Sequence, residues 1–105
     1  MSPPDAILND LVTRIRRVVD PVRIVLFGSS ARGTAGPDSD LDVLVIVKDG
    51  LHRRKTAMNI YGEMGGLGRP VDIVVATEED VRRFADCHAA VICPALKEGT
   101  ELYAA

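Results

Sequence analysis

Asp40 and Asp42 stand two residues apart at the head of an apolar run, Leu-Asp-Val-Leu-Val-Ile-Val, ending at Val47. Successive side chains of a strand alternate between faces, so both carboxylates share one face, with Cα atoms about 6.5–7 Å apart. Leu41, Val43, Val45 and Val47 then point the other way, into a core. Two carboxylates side by side repel unless a cation lies between them. A hard dication suits that position, and Mg²⁺ takes one or two carboxylates together with phosphate oxygens and water.

Elements elsewhere in the chain fit around this strand. Ile7, Leu8, Leu11, Val12, Ile15, Val18 and Val19 recur at helical spacing and predict a helix from about Asp5 to Val19, with Arg14, Arg16 and Arg17 on its other side. Asp20-Pro21 ends it. Arg23 to Phe27 is β-branched and apolar almost throughout, as expected of a strand covered on both faces. Gly28-Ser29-Ser30 turns the chain, Ala31-Arg32-Gly33 reads as a short helical turn, and Thr34 to Ser39 as a loop. After Asp49-Gly50, a helix is expected from Leu51 to Met64, with apolar contacts from Leu51, Ala57, Met58, Ile60, Tyr61 and Met64. Val71 to Ala76 reads as a third strand. Thr77-Glu78-Glu79-Asp80 has the form of a capping box, with Asp where Glu is usual, opening a helix through Val81 and Phe84. A last helix is expected from about His88 to Lys97, before a short Leu102-Tyr103 segment. The expected fold is α/β (α+β): a small mixed sheet with helices packed on it, in one domain spanning residues 1–105.

Asp72, second in an otherwise apolar strand, is costly if buried and unpaired. With the third strand beside the second, Asp72 projects onto the face of Asp40 and Asp42, and three carboxylates can hold two metal ions about 3.5–4 Å apart for in-line displacement at phosphorus. Gly28-Ser29 supplies the anion-binding half. A turn between a strand and a short helix presents free N–H groups. Gly28 allows close backbone approach to a phosphate, the Ser29 hydroxyl donates to it, and Arg32 adds a positive charge. Gly-Ser, ten residues, then Asp-x-Asp arises by chance in roughly one chain in a thousand of this length.

Several functions are disfavoured by the rest of the chain. No basic segment followed by an apolar run opens it, and no apolar stretch approaches the length of a bilayer span, so a cytoplasmic protein without membrane insertion is expected. The net charge of −2 disfavours direct nucleic-acid binding. Cys87 and Cys93 lack zinc-site spacing, even with His88, and are too few for a disulfide framework. His52-Arg53-Arg54-Lys55 reads as a solvated helix start. Gly65-Gly66-x-Gly68 precedes a strand, which no dinucleotide fingerprint does.

The segment Leu26-Phe27-Gly28-Ser29-Ser30-Ala31-Arg32-Gly33, continuing to Asp38-Ser39-Asp40-Leu41-Asp42-Val43-Leu44-Val45, resembles the signature of the DNA polymerase beta-type nucleotidyltransferase superfamily, and Val71-Asp72-Ile73-Val74-Val75 matches its third-carboxylate strand. The short length is similar to the minimal nucleotidyltransferases, the MNT domains. That resemblance implies a nucleotidyltransferase-like fold and transfer of AMP from ATP with release of pyrophosphate. It implies Mg²⁺, as two ions, on Asp40 and Asp42, Asp72 acting on the acceptor hydroxyl, and triphosphate contacts from Gly28, Ser29 and Arg32. Many MNT proteins are antitoxins to a HEPN ribonuclease toxin and adenylylate a tyrosine of it, so a HEPN-type toxin is the expected partner, possible as a hetero-oligomer. Ser30 departs from the family pattern, which favours a bulkier residue. The alternative is an antitoxin that neutralises its partner by docking alone. Small-molecule transfer is disfavoured because no second domain is expected to enclose the acceptor.

Overall fold

The computed structural model describes residues 5–28, 40–84 and 99–105. Helix α1 (Asp5–Val18) leads into strand β1 (Arg23–Phe27), and β2 (Leu41–Val47) follows. Helix α2 (Arg53–Gly62) connects β2 to β3 (Val71–Thr77), with α3 (Glu78–Phe84) and β4 (Thr100–Ala104) after it. The four strands form one mixed sheet in the order β3-β2-β1-β4. β1 runs antiparallel to β2 and β4, whereas β2 and β3 are parallel.

Strand alternation divides the core in two. On one face Ile24, Leu26, Leu41, Val43, Val45, Val47 and Ile73 pack with Leu11 and Ile15 of α1 and Ile60 of α2. On the other, Val25, Leu44, Ile46 and Ala76 form a smaller cluster, with Phe27, Val74 and Val81 against it. The central strands β1 and β2 are thus buried on both sides, which is why they read as nearly continuous apolar runs. Leu41 and Leu44 are wholly buried, and each contributes about 1.5–3 kcal/mol relative to an exposed position. Asp42 is the one residue of β2 short of full burial.

Three expectations change. Arg14 does not join Arg16 and Arg17 in solvent. Its guanidinium pairs with Asp10 at 3.0 Å and donates to the carbonyls of Glu63 and Gly65 at 2.8 and 2.5 Å, where orphan carbonyls past the end of α2 favour a cation. Leu51, two residues ahead of α2, is exposed, as are Met58 and Tyr61 within it, and only Thr56 and Ile60 of that helix are buried. The helix lies along the sheet's margin and covers it with a narrow stripe. The Leu102-Tyr103 segment is part of an edge strand, β4, whose bulge opposite Ile24 and Val25 breaks any clean alternation. The expected helix over residues 88–97, the turn at 31–33 and both cysteines lie outside the described residues.

The capping box forms as expected. Asp80 N–H donates to Thr77 Oγ1 at 3.1 Å, and Thr77 N–H donates to Asp80 Oδ2 at 3.0 Å. Arg53 reaches the same oxygen at 2.9 Å and ties the start of α2 to the start of α3. The Thr77 N–H first, and then Arg53, hold the Asp80 carboxyl below its ordinary 3.8. A lowered carboxyl adds stability above its unfolded pKa, and that stability is lost as pH falls through the folded value. Replacing Asp80 with Ala is expected to cost about 1–3 kcal/mol at neutral pH by leaving the Thr77 N–H unpaired. Urea melts of wild type and variant should converge as the pH is taken below 3.8. An equal gap at all pH values would contradict the assignment.

Candidate functional site

The pairing of β2 with β3 places Asp42 directly beside Asp72. Neighbouring strands lie about 4.8 Å apart, so the two carboxylates leave adjacent positions on the same face. Asp40 stands one residue ahead of β2, exposed, on the same side by alternation. The ladder is closed at this end by Leu41 N–H donating to Pro70 O at 2.9 Å. Across the other edge of β2, Asp42 is paired with Phe27 at the end of β1. Asp40, Asp42, Asp72 and Gly28 therefore meet at one end of the sheet, on the face opposite α1 and α2.

The electrostatics of this corner are unfavourable to its own charges. Partial burial raises the Asp42 carboxyl above 3.8, and the charges of Asp72 and then Asp40 raise it further. No compensating cation from the described residues is paired with Asp42, in contrast to Asp10, Asp49 and Asp80, each held by an arginine.

Gly28 has φ +74°, in the left-handed region, and a Cβ there would collide with Oδ2 of Asp42 and lie 3.2 Å from its Cγ. A glycine is required here for two reasons that act together. The backbone conformation alone costs a residue with a side chain about 1–3 kcal/mol, and the carboxylate occupies the space the side chain would need. The Asp42 carboxylate lies where a side chain on residue 28 would, so Gly28 shapes the acidic corner from within.

Tyr61 is the residue that sequence reading missed. Its hydroxyl donates to Asp72 Oδ1 at 3.1 Å and accepts the Ile73 N–H at 2.8 Å. Among the described residues β3 is an edge strand, with no strand partner for that N–H on its outer side. Burial raises the phenol above its ordinary 10.0, and the neighbouring Asp72 adds to that, which keeps it a donor. The only signal in the sequence is a polar-tipped side chain on a helix eleven residues ahead of an aspartate, and that spacing has no regular meaning.

Ser29 and Arg32 lie outside the described residues. All four residues of the basic stretch at 52–55 are exposed, as expected of a solvated helix start, and two have structural contacts: His52 Nδ1 accepts the Lys55 N–H at 3.1 Å as the N-cap of α2, and Arg53 pairs with Asp80. Among the described residues, no three His, Cys, Asp or Glu side chains already close around a common point as a metal cage. The three carboxylates are separate arms at strand ends. That donor set fits Mg²⁺, an ion that keeps several waters and binds through few carboxylates plus substrate phosphates. No described helix is long and apolar enough to cross a membrane.

The nucleotidyltransferase domain family matches this chain over residues 8–100. Among curated proteins none matches it in sequence. Several solved structures share its fold. A toxin–antitoxin complex with AMP-PNP is 24% identical, with a TM-score of 0.64 over 93% of this chain and 73% of that one. The toxin–antitoxin complex MntA–HepT is 20% identical, with a TM-score of 0.60 over 97% of this chain and 74% of that one. A tri-AMPylated HEPN toxin of Shewanella oneidensis in complex with MNT antitoxin is 21% identical, with a TM-score of 0.60 over 96% and 72%. At these identities the likeness is one of fold, and it bears out the mixed sheet with packed helices.

The raised Asp42 carboxyl has a measurable consequence. A carboxyl raised on folding costs stability when ionised, so the cost is absent below the unfolded value of 3.8 and grows as pH rises through the folded value. Asp42→Asn is expected to melt above wild type at pH 7 without divalent ions, with the gain vanishing towards pH 3.5 or so. Thermal melts across pH test this; a variant less stable than wild type at pH 7 would show that the carboxylate is stabilised by its surroundings.

Proposed function

The chain belongs to the nucleotidyltransferase domain family, and from that premise we propose that it is an antitoxin that transfers AMP from ATP to a tyrosine hydroxyl of a HEPN-type toxin. The observation that carries this reading is the parallel register of β2 and β3, which sets Asp42 beside Asp72, with Asp40 two residues away along the chain. A surface meant only for docking has no use for a carboxylate set between two others that oppose its ionisation. Work on a triphosphate does, because the cation that accompanies it relieves the repulsion. The solved relatives in fold add support: one holds AMP-PNP, and another holds an AMPylated HEPN toxin.

In the proposed reaction the phenolic oxygen of the acceptor bonds to the α-phosphorus of ATP. The bond from that phosphorus to the bridging oxygen breaks, and pyrophosphate leaves with the electron pair. Asp72, the outermost of the three carboxylates, takes the phenolic proton. Asp40 and Asp42, with Asp72, are the residues that would hold two Mg²⁺ ions, which would supply charge neutralisation for the transfer. Gly28 keeps β1 close against Asp42 and, with Ser29 and Arg32, is assigned to the triphosphate. The acceptor belongs to a partner because Asp40 and Asp72 stand exposed at the end of the sheet, where a second protein can supply the missing wall and orient its own hydroxyl. The setting is the cytoplasm, in a hetero-complex with the toxin.

Mass spectrometry of the toxin after incubation with this chain, ATP and Mg²⁺ tests the reading. One or more added AMP masses are expected, lost with Asp42→Ala. A tight complex that silences the toxin with no change in its mass would replace catalysis by docking alone.

A further inference from the structure

We propose that Tyr61 is a positioning residue for Asp72, holding that carboxylate at the acceptor side of the site through a hydrogen-bonded bridge to the edge of β3. The inference rests on the transferase reading above and adds to it a residue outside the carboxylate set.

The bridge has two bonds, and both end on β3. Tyr61 Oη accepts from the Ile73 N–H at 2.8 Å and donates to Asp72 Oδ1 at 3.1 Å. The first bond anchors the phenol to a backbone group that the sheet leaves unpaired. The second passes that anchoring to the carboxylate one residue earlier. A hydroxyl is suited to this because it can accept and donate at once.

Asp72 has a physical need for such a restraint. It is exposed on an edge strand and stands beside the Asp42 carboxylate, whose charge repels it. An exposed aspartate under that repulsion is free to turn towards solvent through other staggered rotamers. The Tyr61 hydroxyl binds one oxygen from the strand's outer side, and Oδ2 keeps its capacity for a further partner. Hydrophobic burial alone does not account for the tyrosine, since it is 43% exposed. α2 gives its apolar stripe to Ile60 and its next position to this contact. The helix therefore has two tasks: Ile60 fastens it under the sheet, and Tyr61 reaches around the edge of β3 to the acidic face.

The test compares the full chain with Tyr61→Phe, Asp72→Asn and the double variant, measuring AMP transfer to the toxin and hydrogen exchange of backbone amides. Tyr61→Phe is expected to lower kcat by about 10-fold to 100-fold, as loss of an outer partner of a site ligand does. KM for ATP should stay within about twofold, because Tyr61 bonds to Asp72 and Asp40, Asp42 and the residues assigned to the triphosphate are left unchanged. The Ile73 amide should lose protection while the β2 amides keep theirs. In the Asp72→Asn background, Tyr61→Phe should cause no further loss. Wild-type kcat in Tyr61→Phe would overturn the proposal, as would the same fold-loss repeated on top of Asp72→Asn. General loss of β2 protection would make the role structural and overturn it too. A wild-type chain that transfers nothing would instead sink the transferase reading, and the positioning role with it.

Discussion

Parallel pairing of β2 with β3 is the constraint on which the rest depends. Two parallel neighbours cannot be joined by a tight turn and need a crossover of a dozen residues or more. Residues 48–70 make that crossover, with α2 as its body. Because the crossover packs beneath the sheet, Ile60 completes the larger core, and the same helix brings Tyr61 to the edge of β3. The parallel register also starts both strands at the same end, so aspartates near the head of each arrive side by side. An antiparallel pairing would have sent Asp72 to the far end of β2.

The acidic corner shows how function is set against stability in a small chain. β2 is buried at every position but Asp42, and that one exception carries a carboxyl whose ionisation is opposed by burial and by two like charges. Three aspartates elsewhere are each neutralised by an arginine: Asp10 by Arg14, Asp49 by Arg82, Asp80 by Arg53. Local conflicts with good folding practice of this kind concentrate at functional sites. Gly28 belongs to the same conflict, since its left-handed backbone and missing side chain are what allow the Asp42 carboxylate to sit against β1.

Much of this was legible in the sequence, and the reasons are physical. β1, β2 and β3 are short apolar runs bounded by Gly, Pro and Asp, and for β1 and β2 burial on both faces leaves a strong mark. The shared face of Asp40 and Asp42 follows from the period of a strand, and the capping box from Thr77 and Asp80 follows from the geometry of a helix start. What escaped depended on contacts between elements. Arg14 looks like a solvent-facing residue until the end of α2 is known to lie beside it. Tyr61 looks like a core contact until α2 is placed along an edge strand with an unpaired N–H. β4 is a bulged strand on an outer edge, and edges demand little regularity of their side chains.

The central claim is that Asp40, Asp42 and Asp72 form one metal-binding site at which a nucleoside triphosphate is held. It is tested most directly by a crystal of the chain grown with Mn²⁺ in place of Mg²⁺ and a non-hydrolysable ATP analogue, read by anomalous scattering. The account predicts manganese peaks within coordination distance of the carboxylates of Asp40, Asp42 and Asp72, with the triphosphate lying past Gly28 at the end of β1. Manganese bound elsewhere, or a triphosphate seated away from these carboxylates, would contradict it.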